Sequence, residues 1–124
     1  MSQQESLLDM ISENHVNVEL VKDASQVDDS RPNVKFVGAN WCGYSKKGVI
    51  HFNDACEDIK EGKCYLFDTT IPESAEAAKN LGLNVEGFPT HFINDGKGNQ
   101  EPLVGMRPQK VLKQALKMSG IDFK

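Results

Sequence analysis

The feature that most narrows what this chain can become is a cysteine set between a strand and a helix. Val34–Val37 is a short apolar run, Ala39-Asn40-Trp41-Cys42-Gly43-Tyr44-Ser45-Lys46-Lys47 follows, and the residues after Cys42 carry helical periodicity. A cysteine at such a junction lies at a helix N-terminus, where unpaired backbone N–H groups and the helix dipole favour an anion. For cysteine that anion is the thiolate, the form that attacks other sulfurs. Lys46 and Lys47, one turn in, add positive charge. The competing reading is a small buried residue at a turn. It leaves the joint arrival of Trp41, Gly43 and the two lysines unexplained.

The rest of the chain bounds the setting of that thiol. At 124 residues and 13.7 kDa it reads as one domain, 1–124, long enough to bury a core without staples. With a net charge of −4 and a pI near 5.3, neither nucleic acid nor an anionic membrane is expected as the main partner. The opening residues have no basic stretch followed by an apolar one, so no signal peptide is expected. No run approaches the ~20 apolar residues that a membrane span requires. Three scattered cysteines suit a reducing compartment better than a disulfide framework. The expectation is a soluble cytoplasmic protein.

In chain order, Ser2-x-x-Glu5 has the form of a capping box, and Leu7, Leu8 and Ile11 then share one helical stripe up to Asn14. Val16, Val18 and Leu20 alternate with polar neighbours, as in a strand with one wet face. Asp23 to Pro32 reads as a loop, with Asp28-Asp29 solvated. After Cys42, the residues Val49, Ile50, Phe52, Ala55, Cys56 and Ile59 form an apolar helical side, with Gly62 as the stop. Gly48 inside that helix has no explanation in the sequence. Cys64-Tyr65-Leu66-Phe67 predicts a central strand covered on both faces. Thr70-Ile71-Pro72-Glu73 has the form of a second capping box, opening a helix to Gly82. Thr90–Ile93 and Pro102–Val104, joined by a turn rich in Gly, Asn and Asp, predict an antiparallel hairpin with its second strand at an edge. Pro108 then starts a last helix with Val111, Leu112, Ala115 and Leu116 inward. The pattern is α/β, a mixed central sheet of four to five strands sandwiched between helices.

Three separated segments resemble the thioredoxin family over roughly residues 33 to 119, with residues 1–32 matching weakly. Trp41-Cys42-Gly43-Tyr44-Ser45-Lys46 resembles its active-site motif, with serine where the second cysteine would stand. Gly87-Phe88-Pro89-Thr90 resembles its Gly-x-Pro-Thr loop, whose proline is cis and faces the nucleophile. Val104-Gly105 before a terminal helix resembles the glycine that completes its substrate groove. The resemblance implies a thioredoxin fold and a thiol–disulfide oxidoreductase with Cys42 as the attacking thiol. Trp41, Gly43, Tyr44, Phe88, Pro89 and Gly105 would border the groove, and Ser45 would occupy the resolving position. The implied partners are protein disulfides and an external reductant, either glutathione or a thioredoxin-reductase-like protein. No cofactor and no metal is implied.

The departures from the family carry their own implications. Ser45 cannot form a disulfide with Cys42, so an internal CxxC cycle is closed to this sequence. Phe36 stands where many thioredoxins bury an aspartate, Cys64 where they place a lysine, and Ile50 where a proline kinks the helix. On a continuous helix Cys56 lies about 21 Å from Cys42, beyond the reach of a disulfide, so core packing is its expected role. Cys64 is expected to be buried and inert, with a resolving role as the lesser reading. His15, His51 and His91 share no metal-ligand spacing and read as surface or hydrogen-bonded histidines. Three alternatives stand beside the main reading. Ser45 is an introduced replacement in a dithiol reductase; the chain is a monothiol glutaredoxin-like protein binding an iron–sulfur cluster with glutathione; or it is a redox-inactive peptide-binding module.

Overall fold

The structure, a computed structural model, describes residues 6–11 and 17–124. A five-stranded sheet runs in the order β1-β4-β2-β5-β6. Its strands are β1 (Val18–Leu20), β2 (Asn33–Gly38), β4 (Lys63–Asp68), β5 (Thr90–Asn94) and β6 (Gln100–Val104). β4 is parallel to both β1 and β2, whereas β5 is antiparallel to β2 and β6 to β5. Among the described residues the α-helices are α1 (Gly43–Cys56), α2 (Pro72–Asn80) and α3 (Gln109–Met118). A small separate ribbon pairs β3 (Ile59–Glu61) with β7 (Asp122–Phe123). Among the described residues, no helix is long and apolar enough to cross a membrane.

Alternation along the strands divides the core between the two faces of the sheet. Val34, Phe36, Cys64, Leu66 and Ile93 join Val49, Phe52 and Ala55 of α1 and Leu112 and Leu116 of α3 on one side. Val37, Tyr65, Phe67 and Phe92 join Ala77 and Ala78 of α2 on the other. The expected run Cys64–Phe67 is therefore covered on both faces, and the Gly/Asn/Asp turn does join an antiparallel hairpin with β6 at the edge.

Several expectations are corrected. The described residues 7–11 form turns rather than an α-helix, although Leu7 and Ile11 are buried against the core; Ser2, Glu5, Asn14, His15 and Val16 lie outside the described residues. α1 stops at Cys56 rather than Gly62. Asn17 Nδ2 donates to the carbonyls of Cys56 and Glu57, at 2.7 and 3.2 Å. Ile59 is then drawn into pairing with Phe123. Ile50 and Val111, both expected inward, are 48% and 50% exposed. α2 has Ile71 at its N-cap with no side-chain cap, because the Thr70 hydroxyl instead donates to the buried Asp68 carboxylate. Asp29 is not merely solvated: Lys35, buried in β2, donates from Nζ to Asp29 Oδ1, Asn33 Oδ1 and Gln100 Oε1 at 2.6, 2.8 and 2.6 Å. Cys56 and Cys64, read as separate thiols, are joined in a disulfide.

Candidate active site

Cys42 follows the C-terminal end of β2 and is the N-cap residue of α1, with extended backbone at φ −93° and ψ 119°. Its N–H donates to Ala39 O at 3.1 Å and its carbonyl accepts from Lys46 N at 3.0 Å, so the tight turn and the first helical turn both hold it. The side chain is half-buried and is the free cysteine of the chain. Burial pushes the thiol pKa up. Hydrogen bonds from the Ser45 backbone, the Ser45 hydroxyl and the Tyr44 backbone outweigh that, and the net result lies below the ordinary thiol value. The stabilising donors are the first residues of the helix itself; Lys46 and Lys47 are exposed beside it.

Ser45 is fully buried, and its Oγ accepts from the buried Ala39 N–H at 3.1 Å. The same hydroxyl thus ties the end of β2 to the thiol. It offers no second sulfur. Across from it, the Phe88–Pro89 peptide is cis, and the Cys42 thiol donates to the Phe88 carbonyl at 3.9 Å. Trp41 and Phe88 meet edge to face, with ring centroids 5.7 Å apart. Trp41 and Tyr44, which precede and follow the Cys42-Gly43 pair in the chain, are 62% and 66% exposed, leaving apolar surface open. Gly105, at φ +98°, donates its N–H to Pro89 O at 2.7 Å and so locks the loop from behind; that φ favours glycine. The structure therefore brings together Cys42, Ser45, Trp41, Phe88, Pro89 and Gly105. Gly43 and Tyr44 stand exposed at the start of α1.

Gly48 was unexplained by the sequence and is explained here. A Cβ at that position would lie 3.1 Å from Pro89 Cγ and 3.4 Å from Phe36 Cε2. The helix can approach the proline only with hydrogen in that place. Its sole signal in the sequence was a residue that costs about 1 kcal/mol in a helix interior without evident return.

Beneath the site, Phe36 stacks on Phe52 and meets His91 edge-on, with centroids 5.1 Å apart in each case. Of the two roles expected for the histidines, His91 takes the hydrogen-bonded one, and among the described residues through one ring nitrogen only. It is fully buried, its Nδ1 lies 3.3 Å from Leu103 O, and its Nε2 has no hydrogen-bond partner among the described residues. Burial lowers its pKa from 6.5 to about 4, with the nearby Arg107 acting in the same direction and the Leu103 carbonyl opposing. Among the described residues, no group of three or more His, Cys, Asp and Glu side chains could hold a metal ion.

The sequence matches the Thioredoxin family over residues 14–118. No curated protein sequence matches the chain. Among solved structures, it is similar to thioredoxin O2 of Arabidopsis thaliana in the oxidised state, with a TM-score of 0.66 at 19% identity, covering 85% of this chain and 97% of that one. It is also similar to the Malassezia sympodialis thioredoxin Mala s 13, with a TM-score of 0.67 at 18% identity over 86% and 92% of the two chains. Mitochondrial thioredoxin 3 of Saccharomyces cerevisiae gives 0.64 at 17% identity over 82% and 94%. At such identities these structures speak for the fold.

Proposed function

This chain belongs to the Thioredoxin family, and on that premise we propose that it is a monothiol thiol–disulfide oxidoreductase whose nucleophile is Cys42. The observation that carries the reading is the hydrogen-bonded, half-buried Cys42 sulfur at the start of α1, facing the cis Phe88–Pro89 peptide. The Cys42 thiolate attacks one sulfur of a protein disulfide, and the other sulfur leaves as a thiolate, giving a mixed disulfide. Trp41, Tyr44 and Phe88 supply the apolar ground for the partner, and the backbone at Phe88 and Pro89 aligns its extended segment. Ser45 has no sulfur to resolve the intermediate. An external thiol attacks the Cys42 sulfur and releases the substrate thiol; a second external thiol then frees Cys42 and leaves as the oxidised small disulfide. Two thiols are consumed for each protein disulfide reduced.

Glutathione is the proposed reductant, and the cytoplasm, where such thiols are abundant, is the proposed place of action. Reduction of a disulfide-bonded protein such as insulin by glutathione tests the reading. The protein is expected to accelerate it, Cys42→Ala to abolish the acceleration, and a Cys42 mixed disulfide to accumulate when the thiol is withheld. Unchanged acceleration by Cys42→Ala would overturn it. If the natural gene encodes cysteine at codon 45, the parent is a dithiol reductase and this serine form its trap.

A further inference from the structure

The helix that carries Cys42 at its start carries a second sulfur at its end. Cys56, the last residue of α1, is bonded to Cys64 of β4 with Cα atoms 6.5 Å apart. Both residues are wholly buried, among Val34, Val49, Ala55, Leu66 and other members of the same apolar cluster. Cys64 is flanked in the sheet by Val18 on β1 and Val34 on β2. The distance along the helix, about 21 Å for fourteen residues, keeps Cys42 from exchanging with this pair inside one molecule. An outside thiol has no exposed sulfur to approach.

We propose that Cys56–Cys64 is a sequestered structural disulfide, closed as the chain folds, which clamps the far end of the nucleophile's helix and stays closed while Cys42 turns over. The proposal rests on the functional reading only for the identity of the exchanging sulfur. Closure takes place before the core seals. The thiolate of one cysteine attacks a low-molecular-weight disulfide and expels one small thiolate; the other cysteine, having lost its proton, then attacks the protein-bound sulfur and expels the second. The two cysteines lose two electrons and two protons, and the small disulfide becomes two thiols. The bond joins the end of α1 to β4 where Asn17 also holds the last helical carbonyls. A buried disulfide of this kind persists among reducing thiols for a kinetic reason, since exchange waits on opening of the core.

The full chain, alkylated with iodoacetamide and read by peptide mass, tests this. Without reductant, Cys42 alone is expected to be modified, both in the native protein and in denaturant. With reduced glutathione under native conditions, Cys56 and Cys64 are expected to open at least about a hundredfold more slowly than a glutathione-capped Cys42 is released. With reductant in denaturant all three are modified. Modification of Cys56 and Cys64 in denaturant without reductant would overturn the proposal, as would native opening within about tenfold of the Cys42 rate. A Cys56→Ala/Cys64→Ala variant is expected to melt at lower temperature and to keep a reactive Cys42; an unchanged melting temperature would remove the clamp. Because each sulfur is scored on its own peptide, an unreactive Cys42 counts against the functional reading and not against the protection of the pair.

Discussion

His91 makes the stability of this protein depend on pH below neutrality. Its side chain is fully buried against Phe36 and Phe52, with Arg107 near enough to oppose its protonation. Its pKa falls from 6.5 to about 4, with burial as the main cause. Between those values the unfolded chain binds a proton that the folded chain refuses, so stability is present at pH 7 and is lost as pH falls. At pH 4.5 a histidine in the unfolded chain is almost wholly protonated, whereas most His91 in the fold is still neutral. Linkage then gives a loss of about 2 kcal/mol between pH 7 and pH 4.5 from this one group. The carboxylates with lowered pKa values, Asp23, Asp28, Asp58 and Asp95, lose their contribution only as pH falls through lower values, so they add little in this window. His91→Leu removes the titrating ring, with the Nε2 that has no partner among the described residues, while keeping an apolar filler. Urea unfolding of both proteins at pH 7 and 4.5 measures the difference directly. The wild type is expected to lose about 2 kcal/mol more than His91→Leu over that interval. Equal losses in the two proteins would refute the reasoning, because His91 would then titrate alike in both states.

Three further substitutions probe the site and its support. Ser45→Ala leaves the buried Ala39 N–H without its acceptor, which is expected to cost about 1–3 kcal/mol in urea unfolding and to raise the Cys42 pKa; a neutral effect on both would show that the hydroxyl holds neither group. Gly48→Ala gains about 1 kcal/mol of helix propensity but presses on Pro89 and Phe36, and overpacking of about 1–3 kcal/mol is expected to win. Denaturation midpoints decide it, a more stable variant counting against close contact between α1 and the proline. Lys35→Ala frees the acceptors on Asp29, Asn33 and Gln100. Because Asp29 is half exposed and regains water, a loss of about 1–3 kcal/mol is expected rather than the larger cost of a fully buried broken pair.

Much of the fold was legible because local pattern and tertiary demand agree. The apolar run Cys64–Phe67 could only be satisfied by cover on both faces, and the Asp95–Asn99 turn could only close a hairpin. The Cys42 junction was legible for a related reason, since a strand turning directly into a helix exposes the N–H groups that the thiolate needs. What escaped was set by contacts between distant segments. The end of α1 depends on Asn17 and on Phe123, neither of which is near Cys56 in sequence. The second capping box failed because Asp68 competes for the Thr70 hydroxyl. Lys35 in a strand gave no hint that oxygens from the preceding loop (Asp29), its own strand (Asn33) and the edge strand (Gln100) would gather around it. The Cys56–Cys64 bond was missed because the spacing of the two cysteines says nothing about a helix end folding back on a strand. Gly48 was visible as an anomaly, but its reason lay in a proline far along the chain.

The most direct test of the central claim is the titration of Cys42 itself, by the rate of iodoacetamide alkylation against pH with the sulfur read by peptide mass. A midpoint below the free-thiol value of about 8.5 is expected, moving upward in Ser45→Ala. A midpoint at or above that value in the unaltered protein would contradict it, since the helix start and the serine hydroxyl would then be doing nothing for the sulfur they surround.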